Sequence, residues 1–502
     1  MVMLVYFLLL ALVVPGVATP LVTIIVSRHG IRTPYPPGGE GNLTKESMAQ
    51  YTTKSFPPCW PPGPESSGVW GSSITAGLTP HGGEQIRLMG RWMGTSNFSG
   101  VSCDDVAVYA DISSSRDNET ATNWTLGAFP TCKALHQEEV IKGDAKQVLF
   151  NDGSNQELCG FQSSKVIQSF LGGGKYEALL NAWKSQIQLV DSVVHCCSSE
   201  LCPGHLPCNL SSLPIKYTGK FWAATEGAFD IAVFWAEFFL LEYLNGNPQY
   251  AQGQLGVSDL VDLYRMAVEN IEIMDDHFAS RSFESTMASH ILGTLLQAAE
   301  RKPIPGLSHS QNTKVVYMAG HDTNLILLRL LLGLRWQSHG WAQNGVAPGG
   351  MLIFELEQRQ EGGPVVSIYF QVAQPAQLRE GQPFSEPQAP SRVQAMTKPK
   401  RTTYYRRCFQ KDGYLQVAAG VYWNSSPPRF GGEPWSWLRS VACSILVDLS
   451  SHRTCCLSAW SGDLMVHKEA KVLITVLRIQ LPRAYKLKTR LKTRDRWDAD
   501  FQ

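Results

Sequence analysis

The chain has 502 residues, of which 44% are hydrophobic and 17% charged, enough apolar material for a large core in two or three domains. The formal net charge is +1, which excludes an overall field directed at nucleic acid or an acidic surface. Any phosphate site must therefore come from a local cluster of charge.

The first element is the apolar run 1–14, closed by Pro15-Gly16-Val17-Ala18. The small residues Gly16 and Ala18 fit cleavage after Ala18, so residues 1–18 read as a signal peptide and the mature chain as secreted. The run is too short to span a bilayer, and no later segment reaches spanning length. Twelve cysteines agree with an oxidising compartment. The cluster from Cys196 to Cys208 lacks the paired C-x2-C spacing of structural zinc, so disulfides are the preferred reading and no metal is expected. Sequons at Asn42, Asn97, Asn118, Asn123, Asn209 and Asn424 are consistent with a glycosylated secretory protein, although Asn118 lies close to a candidate active-site residue.

Residues 21–26 are β-branched and aliphatic and predict a buried strand. A Gly/Pro-rich loop runs from 34 to about 77, and Thr79-Pro80-His81-Gly82-Gly83-Glu84 opens a helix. Residues 106–112 predict a second strand and 117–126 a helix. From 150 to 225 helical periodicity alternates with Cys-, Ser- and Pro-rich loops. Residues 226–300 read as long helices, with Ile231, Phe234, Trp235, Phe238 and Phe239 at helical spacing. Residues 314–319 predict a strand and 323–334 a core helix despite Arg329. Residues 351–356 and 365–372 predict a strand hairpin. Strand, long helical section, strand implies an α/β core, 19–150 with 301–395, carrying an inserted, mainly helical cap over 151–300. Residues 396–502 form a basic extension with no assignable fold, and no internal repeat is visible.

Three motifs carry chemistry, each placed after a strand, where open α/β sheets bind ligands. Ser27-Arg28-His29-Gly30-Ile31-Arg32-Thr33-Pro34 sets a histidine between two arginines. The guanidinium fork matches phosphate oxygens, and a neutral imidazole between two such forks can attack phosphorus. Ala319-Gly320-His321-Asp322-Thr323-Asn324 opens a helix. Asp322 can protonate a departing alkoxide if its site raises its pKa, and His321 can donate to a phosphate oxygen. The competing reading of Asp322 or Thr323 is a plain helix cap. Arg116, after the strand 106–112, would complete a cage of three arginines.

These residues resemble the histidine acid phosphatases, the R-H-G-x-R-x-P branch of the histidine phosphatase superfamily. The chain is most similar to periplasmic-type phytases and glucose-1-phosphatases within it. The likeness extends over about 21–395 and includes Leu78–Glu84 (L-T-P-x-G-G-E, with His81 in place of the usual arginine), His321–Asn324, and Pro348-Gly349-Gly350 followed by Leu352 and Phe354-Glu355. The resemblance implies a three-layer αβα sandwich with an inserted helical domain and no cofactor. It implies His29 as nucleophile, Asp322 as general acid, and Arg28, Arg32, Arg116 and His321 as phosphate ligands. Glu237 and Tyr35 would line the substrate pocket, and Cys103 would pair with Cys132. The lysine expected just after Tyr35 is absent, since Pro36 and Pro37 follow. The family's C-terminal cysteine segment is not recognisable after 395, which leaves Cys159 without its expected partner unless Cys408 or Cys443 substitutes.

The expected function is hydrolysis of small phosphate monoesters through a phosphohistidine, as a phytase or broad acid phosphatase, with no nucleic-acid partner. The alternatives are a glucose-1-phosphatase-like enzyme and a non-catalytic secreted protein that binds phosphorylated ligands on the same scaffold. A phosphoglycerate-mutase-like transferase is disfavoured by the signal peptide and Asp322. Oligomeric state leaves no mark in the sequence.

Overall fold

Residues Val22–Arg28, every one buried, form strand β1 at the centre of the molecule. The computed structural model describes residues 20–35, 44, 48–54, 70–71, 75–136, 142–143, 149–150, 175–198, 201, 208–213, 216–217, 225–273, 278–359, 363–397, 408–411 and 414–417. The expected signal peptide, most of the expected loop 34–77, Cys59, Cys159, Cys443, the sequons at Asn42 and Asn424, and most of the basic extension lie outside the described residues.

After β1 come helix α1 (Pro80–Ser96), β2 (Val106–Ala110), α2 (Ser115–Ala128), β3 (Lys142–Gly143), α3 (Lys175–Ala182), α4 (Lys184–Val194), β4 (Lys216–Tyr217) and β5 (Thr225–Glu226). The long helices α5 (Ala228–Leu244), α6 (Val257–Ile273) and α7 (Phe278–Glu300) follow. The chain then returns through β6 (Val315–Gly320), α8 (Asp322–Leu332), β7 (Leu334–Arg335), β8 (Met351–Gln358), β9 (Pro364–Val372), α9 (Pro375–Glu380), β10 (Ser391–Gln394) and β11 (Met396–Thr397). In the extension, β12 (Cys408–Lys411) and β13 (Tyr414–Val417) form an antiparallel pair.

Seven strands make one mixed sheet in the order β10-β9-β8-β1-β6-β2-β3. The strands β1, β6, β2 and β3 run parallel, and β8, β9 and β10 add an antiparallel edge. The sheet is the middle of three layers, with α1 and α2 packed together and α7 and α8 lying against β1. Trp124 of α2 stacks flat on Tyr317 of β6 with centroids 4.0 Å apart.

Register brings three strand ends level. Ser27 of β1 and Ala110 of β2 both pair with Ala319 of β6. His29 N then donates to Gly320 O at 2.8 Å, and Asp111 N to Ala319 O at 3.1 Å. The segments that follow β1, β2 and β6 therefore emerge side by side.

Local chemistry sets the element ends. Thr79 caps α1 by accepting from Gly82 N at 2.9 Å, with Pro80 at the first turn. A Cβ on Gly82 would come within 2.1 Å of Ile31 O, so only glycine lets α1 approach the segment after β1. The strand expected over 106–112 stops at Ala110, because the Asp111 carboxylate accepts from Ser113 N at 2.9 Å and Ser113 Oγ at 2.6 Å and turns the chain. The helix expected over 323–334 ends at Leu332, capped by Gly333 in the left-handed region with φ 66°. Arg329 is buried within it and ion-paired with Glu272. The bond Cys103–Cys132 joins the start of β2 to the chain just past α2, as the resemblance implied.

Glu242 of α5 is buried, accepting from Asn247 Nδ2 at 3.1 Å and Ala251 N at 3.0 Å. Burial pushes its carboxyl from 4.5 up to about 8, against those two bonds. A folded pKa above the unfolded one gives stability that is complete below about pH 4.5 and is lost as pH rises toward about 8. The slope is about 1.4 kcal/mol per pH unit. The variant Glu242→Gln is expected to flatten the fall in melting temperature across that window, as measured by calorimetry at stepped pH. An unchanged slope would show that Glu242 does not titrate there.

Candidate active site

The structure brings every candidate residue from the three motifs to one place, at the carboxyl ends of β1, β6 and β2. Arg28 and His29 are 1% and 2% exposed, which removes water as the main partner for their charge. His29 Nδ1 lies 2.8 Å from Gly30 O. A carbonyl oxygen only accepts, so Nδ1 carries the proton and Nε2 keeps its lone pair. Gly30 N in turn donates to Thr120 Oγ1 of α2 at 3.1 Å. A Cβ on Gly30 would press against Ile86 Cγ1 and Leu78 Cδ1, both at 2.9 Å.

Burial first, and then the charges of Arg116, Arg28, Arg32 and His321, push the His29 imidazole well below 6.5. Its surroundings therefore favour the neutral ring. This is the protonation state a nitrogen nucleophile needs.

The arginines are held by carboxylates. Arg28 Nη2 lies 2.8 Å from Glu237 Oε1 and 2.9 Å from Asp322 Oδ2, and Arg32 Nη2 lies 2.9 Å from Glu237 Oε2. Arg28 Nη1 donates to the Tyr264 hydroxyl and to Val346 O, which Tyr264 also meets at 2.7 Å. Tyr35 sits beneath two of the cations, with its ring centroid 4.6 Å from the Arg32 guanidinium carbon and 5.3 Å from that of Arg116. Its hydroxyl accepts from Arg116 Nη1 at 2.7 Å. The Nε–H groups of Arg28 and Arg32 are buried and have no acceptor among the described residues. Unsatisfied buried donors on two cations suit an anion.

His321 stands edge-on to His29, with centroids 6.0 Å apart. Its Nε2 meets Asp111 Oδ2 at 2.9 Å, while Nδ1 faces Arg116 Nη2 at 3.2 Å and Asp117 Oδ2 at 3.6 Å. Burial alone would lower its pKa, but Asp117 and Asp111 outweigh burial and raise it. Burial raises Asp117 in turn.

Asp322 departs from the sequence-based condition. Burial alone would raise its carboxyl, yet Arg28, Arg32 and His321 together hold it below the ordinary carboxylate value. By itself, the protein keeps this group ionised.

Asp111, Asp117, Thr120, Tyr264 and Val346 O were not singled out from sequence. Asp111 falls inside the strand expected over 106–112, and only the observed end at Ala110 places it at the strand's carboxyl end. Tyr264 lies inside a helix with no motif around it. Among the described residues no group of three or more His, Cys, Asp or Glu side chains could hold a metal ion.

The model of the histidine phosphatase superfamily, branch 2, matches residues 22–371. Phytase AppA of Escherichia coli (strain K12) is 27% identical over 394 residues, spanning 74% of this chain and 84% of that protein. The solved phytase of Citrobacter braakii superposes with a TM-score of 0.62 at 21% identity, covering 87% of this chain and 99% of that one. Hafnia alvei phytase in complex with myo-inositol hexakis sulphate gives 0.60 at 23% identity, covering 88% and 99%. These structural likenesses agree with the three-layer αβα fold.

Glu237 spans the donors of Arg28 and Arg32 that a phosphate would use, so it competes with any bound anion. The variant Glu237→Gln removes that competing charge. Inorganic phosphate is expected to inhibit it roughly 3- to 10-fold more strongly near neutral pH, the scale of a part-exposed ion pair. Weaker inhibition by phosphate would mean that Glu237 organises the arginines for binding.

Proposed function

The chain belongs to branch 2 of the histidine phosphatase superfamily, and on that premise we propose that it hydrolyses phosphate monoesters through a phosphohistidine formed on His29. The observation that carries this reading is His29 itself, with Nδ1–H tied to Gly30 O at 2.8 Å and Nε2, which has no hydrogen-bond partner among the described residues, surrounded by the charges of three arginines.

The steps follow from the groups present. The phosphoryl oxygens take the N–H donors of Arg28, Arg32 and Arg116, while His321, with Nε2 on Asp111 and Nδ1 facing Arg116 Nη2, orients Arg116 beside the phosphate. His29 Nε2 forms a bond to phosphorus as the ester P–O bond breaks, and the leaving alkoxide takes a proton from Asp322. Water then attacks phosphorus, Asp322 carboxylate takes the proton from that water, and the N–P bond breaks to release inorganic phosphate. Asp322 must be protonated at the start, although the protein alone lowers its pKa. The substrate supplies the missing condition. Its dianion claims the Arg28 donors now shared with Asp322 and brings negative charge beside the carboxylate, which raises the Asp322 pKa. Binding and acid activation are then one event. The rate should fall as pH rises and Asp322 loses its proton, and the lowered His29 pKa shifts the opposing loss of nucleophile to lower pH, so the optimum lies on the acid side.

The substrate class is that of phytate and other organic phosphate monoesters, as in the phytases this chain is similar to. The lysine missing after Tyr35 argues for breadth over strict phytate preference. Residues 19–150 and 301–395 are taken as the α/β core and 151–300 as an inserted helical section whose last helix, α7, returns to pack on β1. Secretion is supported by the leader-like residues 1–18 and the Cys103–Cys132 bond. Asn97 and Asn209 are exposed sequons suited to glycosylation, whereas the sequon of Asn118 ends at buried Thr120, whose hydroxyl serves Gly30. No described helix is long and apolar enough to cross a membrane.

With EDTA present at about pH 5, the protein is expected to release phosphate from phytate, glucose 1-phosphate and p-nitrophenyl phosphate. Rapid acid quench with radiolabelled substrate should trap label on the wild-type chain, and His29→Ala should lower turnover at least ~1,000-fold and trap none. Near-wild-type turnover in His29→Ala would exclude the phosphohistidine route.

A further inference from the structure

Glu284 lies in α7, outside every motif, and is 0% exposed. Its Oε1 accepts from Asn324 Nδ2 at 2.8 Å, and Asn324 Oδ1 accepts from His321 N at 2.9 Å. The Asn324 amide is thereby fixed at both ends. The two bonds demand opposite faces of it, so a flipped amide would break both. The His321 N bond is half of the capping box that opens α8, and it fixes the backbone from which His321 and Asp322 project.

From this chain of contacts we propose that Glu284 is a positioning residue for Asp322, acting through Asn324, and that it works as a neutral carboxylic acid. This rests on the reading of Asp322 as general acid. Glu284 Oε2 is buried and has no hydrogen-bond partner among the described residues. An ionised carboxylate there would keep a charge with one neutral amide for company and no cation beside it among the described residues. Burial accordingly holds the proton on, well above the ordinary glutamate value, with the Asn324 bond opposing only in part. A neutral acceptor suits the position. It orients Asn324 without adding a negative charge at the start of α8, where the helix dipole and Asp322 already interact.

The test compares Glu284→Met, Glu284→Gln and Asp322→Asn with the wild type. Methionine fills the volume but removes the acceptor, whereas glutamine keeps an acceptor and the neutrality. Each is assayed for kcat/KM, which reports phosphoryl transfer to His29 and not the later hydrolysis, on p-nitrophenyl phosphate, whose leaving group needs no proton, and on glycerol 2-phosphate, whose alkoxide does. Loss of a general acid costs about 100-fold or more on the second and far less on the first. Asp322→Asn is expected to show that selective loss in full. Glu284→Met should show it in part, about 10-fold or more on glycerol 2-phosphate and under about 3-fold on p-nitrophenyl phosphate, with a displaced basic limb in the pH profile of kcat/KM. Glu284→Gln should restore both values.

Equal losses on the two substrates, or no loss, in Glu284→Met beside a selective Asp322→Asn would overturn the role of Glu284 alone. A non-selective Asp322→Asn would overturn the general-acid reading and this proposal with it. Where Glu284→Met does not unfold cooperatively, Asn324→Ala cuts the same link from the other side and must show the same selective loss.

Discussion

Three arginines crowded around one histidine are the constraint on which the rest of the site depends. Positive charges this close repel, and burial strengthens the repulsion. The repulsion has a use, because together with burial it keeps His29 neutral and nucleophilic. It also has a cost, which the structure offsets with carboxylates placed around the cluster. Glu237 and Asp322 hold Arg28, Glu237 reaches on to Arg32, and Asp117 lies 3.8 Å from Arg116 Nε. These acids come from α2, α5 and α8, so the charge balance of the site ties the helices to the sheet.

The sheet explains why such a cluster can form at all. Adjacent parallel strands end level, and their following segments carry Arg28 and His29, Asp111 and Arg116, and His321 and Asp322 into one crevice. Each segment is then fixed by its own local device: Gly30 against α1 and Thr120, the Asp111 turn onto Ser113, and the Asn324 cap on His321. The devices are small and the positions they fix are shared. A displaced cap in α8 would move the proton donor, and a bulkier residue than Gly82 would push α1 away from the arginine loop.

Much of this was legible in the sequence where chemistry and local pattern coincide. The run from Arg28 to Pro34 after an apolar strand, and His321-Asp322 at a helix start, announce their roles because each residue type is rare in that setting. Cys103 and Cys132 bracket Arg116 and do bond. Other partners carry no local signal. Asp117 and Thr120 look like ordinary polar residues of α2, and Tyr264 and Glu284 sit on helices more than fifty and nearly forty residues before His321 in sequence. Only tertiary packing gives them neighbours. The direction of the Asp322 shift was also out of reach, because it depends on which cation lies within 2.9 Å, a matter of side-chain geometry.

The central claim is that burial, reinforced by the surrounding charge, holds His29 neutral with its proton on Nδ1. The most direct measurement is a pH titration by NMR of the protein labelled with nitrogen-15 in histidine, with His29→Ala used to assign the His29 ring. The account predicts that His29 shows the Nδ1–H neutral tautomer and protonates only well below its ordinary value of about 6.5. A ring that titrates near its ordinary value of about 6.5, or one with the proton on Nε2, would contradict it.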